Sequence, residues 1–167
     1  ARQQSCVAPR SFLTSKPSSY CHMKFTPLFN IFCRDVERQM RFYQSILGWR
    51  DIPEWSSAIY RVLEQDGVQI GFNGWKAYEL LGLGDRKRAP RQDFKVSSML
   101  SFIVAQPELV DDGAQRLPAL GGRVIQGPFA TYYGHWQLVF ADPEGNVGRL
   151  TCPTLPRGVS APVVNLA

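Results

Sequence analysis

Apolar and polar positions change period along this chain in an order that occurs twice. Leu28 to Cys33 is an apolar run of strand length, and Val36, Met40, Tyr43 and Leu47 then recur at helical spacing. Asp35 stands where a helix cap belongs, Glu37 lies in the first turn where the helix dipole favours an acid, and Gly48 supplies a residue that ends the helix in the left-handed region. Strands are predicted from Phe25 to Cys33 and near Arg50 to Pro53, Ala58 to Glu64 and Val68 to Asn73, the last two turning at Asp66-Gly67. A weaker copy follows. It has a strand from Ser98 to Val104, then a helical echo from Gln106 to Gly121 that Pro107 opens and Pro118 bends near its end. Strands near Arg123 to Gln126, Gly134 to Phe140 and Val147 to Thr151 complete it, with a turn at Glu144-Gly145. A half that cannot close its own core must pair with its twin. The repeat therefore predicts an α+β fold of two βαβββ modules, a curled mixed sheet around a cleft with the helices on its outer face.

Strand parity then sorts the side chains, because successive residues of a strand face opposite ways. In the strand at Val68 to Asn73, Ile70 and Phe72 should meet the helices while Gln69, Gly71 and Asn73 face the cleft. In the last hairpin, Trp136, Leu138 and Phe140 should pack on the helix, leaving His135, Gln137 and Val139 inward. Matching the two hairpin turns gives Ile59, Arg61 and Leu63 as the inward set of the first half. Leu28, Asn30 and Phe32, with Met99, Ser101 and Ile103, complete the floor. The bland alternative for each polar member is a solvated sheet surface.

The sequence Phe42-Tyr43-x-x-x-Leu47-Gly48 in the first half, with Gly134 and Asp142-Pro143-Glu144-Gly145-Asn146 in the second, resembles the vicinal oxygen chelate superfamily. That superfamily includes glyoxalase I, the bleomycin and fosfomycin resistance proteins and the extradiol dioxygenases. The resemblance implies one domain over residues 23–152, with module one at 25–74, a linker at 75–96 and module two at 97–152. Metal-dependent relatives place His, Glu or Gln at four equivalent strand positions, which fall here on Leu28, Gly71, Met99 and Arg149. None suits a divalent ion, which wants carboxylate or imidazole, and a guanidinium repels one. The expectation is a site with no metal and no cofactor.

What remains resembles a metal-free, bleomycin-resistance-like protein that binds a small aromatic, anionic or carbonyl-bearing molecule. The expected ligand contacts are Asn30, Phe32, Arg61, Gln69, Asn73, Trp75, Ser101, Gln137 and Arg149, with Trp55 and Tyr133 as further aromatic wall. Arg61 and Arg149 favour an anionic or carbonyl group, since a guanidinium grips carboxylate bidentately. The alternative is a metal-independent lyase or isomerase. His135 would be its general acid or base, Tyr133 or Tyr132 a proton donor, and Arg149 the stabiliser of an enolate. A third class, a protein-interaction module using the basic linker, remains open.

Composition narrows these classes. The net charge of +5 sits partly in residues 1–22, where Arg2, Arg10 and Lys16 meet no acid, so that 16 of the 19 basic residues face 14 acidic ones elsewhere. The linker holds much of the remainder, and no basic stripe of the kind that grips nucleic acid appears. No run reaches the ~18 apolar residues that a membrane span needs. Cys6, Cys21, Cys33 and Cys152 form no metal-type pair and no disulfide scaffold, which fits a cytoplasmic protein. Residues 1–22 read as a disordered or non-native arm ahead of Met23, residues 153–167 as a tail, and the domain as a homodimer.

Overall fold

The computed structural model describes residues 26–87, 96 and 98–164. The arm assigned to residues 1–22 lies outside these, as do Arg88, Arg91 and Lys95 of the basic linker.

Module one runs β1 (Leu28–Cys33), α1 (Val36–Leu47), β2 (Arg50–Asp51), β3 (Tyr60–Gln65) and β4 (Val68–Gly74). Asp35 caps α1 by accepting the Arg38 N–H at 3.0 Å, and Gly48 closes it at φ 70°. The strands pair in the order β1-β4-β3-β2, with β1 parallel to β4 and the β3–β4 and β2–β3 pairs antiparallel. Module two repeats the plan with β5 (Leu100–Ile103), α3 (Pro107–Arg116), β6 (Arg123–Ala130), β7 (Trp136–Ala141) and β8 (Val147–Cys152), in the order β5-β8-β7-β6. The expected α+β architecture of paired βαβββ modules is thus the observed one, with a separate four-stranded mixed sheet for each module.

Three details depart from the sequence reading. A short helix α2 (Lys76–Leu80) follows β4 inside the stretch read as linker and buries Ala77 and Tyr78, while Leu80 and Leu81 stay exposed. Strand β6 extends four residues past Gln126, through an irregular register against β7 at Gly127-Pro128. Finally, α1 buries Gln39 and Phe42 beside the expected Met40 and Tyr43, so its covered face is wider than one sheet requires.

The reason for that width is a shared core. Tyr43 lies 5.5 Å from the Phe72 ring of the first sheet and 6.2 Å from the Phe102 ring of the second, and Phe42 packs 6.0 Å from Phe140. One apolar cluster takes in Ile31, Leu63, Ile70 and Phe72 from module one with Val110, Leu138, Phe140 and Leu150 from module two. The helix-covered faces of both sheets therefore meet at one core, and the opposite faces are turned away from it.

Candidate functional site

Residues paired directly across two strands share a face of the sheet. On the outer face of the first sheet the pairs Leu28–Gln69, Asn30–Gly71 and Phe32–Asn73 continue into β3 as Glu64, Val62 and Tyr60. Asn30, Phe32, Gln69 and Asn73 stand where parity puts them. Arg61 and Leu63 do not. The Asp66-Gly67 turn has two residues, so Gln65 pairs with Val68, Leu63 with Ile70 and Arg61 with Phe72. Both belong to the helix side, where Leu63 is fully buried and Arg61 bonds Glu37 of α1 at 3.1 Å and the Ser57 carbonyl at 2.8 Å. The second hairpin has a longer loop, Asp142 to Asn146, between β7 and β8. Equating the two turns displaced β3 by one residue, which exchanges its faces.

The first face is largely self-satisfied. Asn73 donates to Asn30 Oδ1 at 2.8 Å, and Phe32 stacks on Tyr78 at 4.3 Å. A Cβ at Gly71 would run into Asn30 Oδ1 and the Tyr60 hydroxyl, so these two side chains fill the place left by the missing one. Burial pushes the Tyr60 hydroxyl above its ordinary pKa. Tyr60, missed on parity grounds, is the residue that a count from the two-residue turn would have found. Trp75 is engaged elsewhere: its ring lies 5.3 Å from the Arg34 guanidinium and 4.9 Å from the Lys87 ammonium. Trp55 is exposed on a short 3₁₀ turn.

The second face holds a connected polar array. The Arg149 Nε donates to Ser101 Oγ at 2.8 Å, and its Nη1 to Gln137 Oε1 at 3.4 Å. The Tyr133 hydroxyl donates to the same Gln137 oxygen at 2.9 Å. His135 Nδ1 sits 3.1 Å from Thr151 Oγ1, and its ring meets that of Tyr133 edge-on at 4.9 Å. The backbone around His135 is pinned by Thr131, whose hydroxyl accepts the His135 N–H at 2.8 Å. Tyr132 and Tyr133 remain 52% and 46% exposed, leaving aromatic surface beside the array. Thr151 is a member that the sequence reading passed over, although it shares the face with Gln137.

No hydrogen bond, ion pair or ring contact among the described residues joins the Asn30 face to the Arg149 face. An apolar cavity of about 670 Å³ lies instead at the seam between the modules, lined by Phe29, Trp49, Met99, Phe102, Ile103 and Leu109 among others.

The four positions to which the family resemblance carries metal ligands, Leu28, Gly71, Met99 and Arg149, hold an aliphatic side chain, no side chain, a thioether and a guanidinium. Arg149 is moreover hydrogen-bonded into the array, and no group of three or more His, Cys, Asp or Glu among the described residues is placed to hold an ion. These donors do not fit a divalent metal.

The sequence matches the family described as Glyoxalase/Bleomycin resistance protein/Dioxygenase superfamily over residues 26–148. A glyoxalase/bleomycin resistance protein/dioxygenase family enzyme from Burkholderia phytofirmans PsJN is 35% identical, with a TM-score of 0.70 over 76% of this chain and 97% of that one. A glyoxalase-related enzyme from Fulvimarina pelagi shares the fold at 20% identity and a TM-score of 0.64, over 87% of this chain and all of its own, 100%. So does a genomically encoded fosfomycin resistance protein from Listeria monocytogenes in complex with Mn(II) and sulfate, at 18% identity and a TM-score of 0.56, over 79% of this chain and 91% of that one. No curated protein matches the sequence.

Proposed function

The chain belongs to the Glyoxalase/Bleomycin resistance protein/Dioxygenase superfamily, and from that premise we propose that it binds a small aromatic, anionic or carbonyl-bearing molecule without a metal. The observation that carries this reading is the Arg149 guanidinium, fixed by Ser101 and Gln137 at a position where metal-dependent relatives place a ligand. Those two bonds use two of its five N–H donors, and the others can meet a carboxylate or carbonyl oxygen. Tyr132, Tyr133 and His135 offer aromatic surface beside it.

The helix-covered faces of the two sheets share one core, and β1 and β5 are end strands carrying the exposed Leu28, Phe29 and Ile103, with the exposed Met99 just before β5. This supports a homodimer in which a second copy closes over each outer face. No helix among the described residues is long and apolar enough to cross a membrane, and the unpaired Cys33 and Cys152 support a reducing cytoplasm as the working compartment.

The test begins with native mass spectrometry of protein from its host, which should show a retained small molecule. Calorimetry with that molecule should then find binding weakened by about 1.5–3 kcal/mol in Arg149→Ala, as for a lost hydrogen bond to a charged group. Unchanged affinity would remove Arg149 from the site. Elemental analysis returning about one zinc, iron or manganese per chain after dialysis would overturn the metal-free part.

A second reading, a metal-independent lyase or isomerase, draws on one geometric fact. Thr151 engages His135 at Nδ1, leaving Nε2 as the ring nitrogen able to exchange a proton with a ligand. Turnover of the retained molecule that disappears in His135→Ala would establish it. Tyr133 is a weaker proton donor in that scheme, because its hydroxyl hydrogen is committed to Gln137.

A further inference from the structure

Resting on the reading that the Arg149 face is the ligand site, the geometry points to the Gln137 carboxamide as the group that selects the ligand's head. Its Nε2 hydrogens, open on that face beside Arg149, take an acceptor-only carboxylate in preference to the matching carboxamide.

The argument starts from what a guanidinium can do. It donates and never accepts, so the Gln137 atom 3.4 Å from Arg149 Nη1 must be the oxygen. Tyr133 gives a second hydrogen to that oxygen at 2.9 Å, which fills both lone pairs. Turning the amide over would set N–H against the guanidinium N–H, so Arg149 fixes the orientation and the Tyr133 hydroxyl, able to donate or accept, follows it. The Nε2 hydrogens find no acceptor among the described residues. The residue is only 7% exposed, yet among the described residues the sealed side-chain polar atoms without a partner are Gln39 Oε1 and Asp51 Oδ1. Gln137 Nε2 is not one of them, so it keeps some solvent access.

Its neighbours present the same polarity. Ser101 accepts from Arg149 Nε, which leaves the Ser101 hydroxyl hydrogen to donate outward. The strand-paired residues around them on this face are Ile103, Val139, Thr151, Phe129 and Gln126, none of them an acid. A ligand head placed here meets hydrogens from the Gln137 amide, the Arg149 guanidinium and the Ser101 hydroxyl, with no carboxylate to compete. A carboxylate satisfies all of them. A carboxamide of the same shape turns its own N–H groups against donors and leaves polar groups unpaired, the arrangement by which a hydrogen-bonding site rejects a near-isostere most strongly.

Benzoate and benzamide are the probes, titrated into the ¹⁵N-labelled full chain. With benzoate, the Gln137 side-chain NH₂ pair should move together with the Ser101 and Tyr133 backbone amides and give the same Kd; benzamide should bind at least about ten-fold more weakly. Gln137→Glu keeps an acceptor for Arg149 and Tyr133 and replaces the NH₂ by oxygen. It should weaken benzoate about ten-fold or more and leave benzamide equal or tighter. The inference is overturned if benzoate shifts the Ser101 and Tyr133 amides while the Gln137 NH₂ pair stays still, or if benzamide binds as well as benzoate. Should neither probe perturb this face at all, the ligand-site reading falls and the selection by Gln137 falls with it.

Discussion

Gln39, buried on α1, donates its side-chain amide to Asp142 Oδ2, 103 residues further along the chain at the head of the last hairpin. The same oxygen takes the Tyr43 hydroxyl at 3.0 Å and the Asn146 amide at 2.8 Å, while Oδ1 receives the backbone N–H groups of Glu144 and Asn146. The Asp-Pro-x-Gly-Asn motif is thus a clasp between modules as well as a turn. Burial nevertheless dominates the Asp142 carboxyl and pushes its pKa above the ordinary 3.8, against the opposing pull of those hydrogen bonds.

Asp142→Ala should therefore lose about 3–5 kcal/mol in denaturant unfolding, since it strands the buried Gln39 and Tyr43 donors together. Asp142→Asn should lose clearly less. Gln39 Oε1 has no partner, so its amide can turn over to meet the new side-chain nitrogen.

The raised Asp142 pKa also fixes a pH dependence. Between the unfolded and folded values the native state holds more protons, so this group's contribution to stability falls as pH rises from about 3.8 through the folded value. Wild type should lose stability relative to Asp142→Asn over that window. A difference that is flat with pH would mean that the carboxylate is solvated.

Glu37 titrates the other way. Its hydrogen bond to Arg41, followed by the one to Arg61, holds the carboxyl below its ordinary 4.5. Its contribution is present above that value and is lost as pH falls through the folded one. NMR titration should show Arg41→Ala raising the Glu37 pKa more than Arg61→Ala does.

Gly148 stands opposite Phe140, and a Cβ there would lie 2.6 Å from a ring that the core fully buries. Gly148→Ala should cost about 1–3 kcal/mol by overpacking. Gly84→Ala meets nothing and should stay within about 0.5 kcal/mol, which makes it the control for thermal unfolding.

Cys33 is completely buried, and its thiol is pushed up to about 12, chiefly by burial and then by the charges of Glu144, Asp142 and Asp35. Mass-spectrometric mapping at pH 8 should find Cys33 and the equally buried Cys152 modified by an aromatic disulfide reagent only as fast as the protein unfolds. Rapid labelling of either would show local opening.

The repeat, the capped first helix and the last hairpin were legible because their signals are local: Asp35 and Gly48 bracket one apolar period, and β7 alternates plainly through Trp136, Leu138 and Phe140. Gln137 and His135 followed from that alternation, whereas Arg149 came from the family resemblance alone. Arg61 was misplaced because the two hairpins have loops of different length, a feature that motif matching hides and that one residue of register turns into the wrong face. Gln39 gave no signal, and Phe42 stood in the family motif with nothing to announce its burial, since what buries them comes from the other module. Nor does alternation along each strand reveal which faces two sheets bring together, so the shared core behind α1 was invisible from either half.

That shared core has a consequence for how the chain can be taken apart. With Tyr43 held between Phe72 and Phe102, neither module has a complete apolar interior of its own. Separately expressed fragments covering residues 26–87 and 96–164 should each remain unfolded, and should fold when mixed into a non-covalent heterodimer. Folding would then become second-order in fragment concentration, and its rate would report the docking of α1 onto the second sheet, a step hidden inside the unimolecular folding of the intact chain.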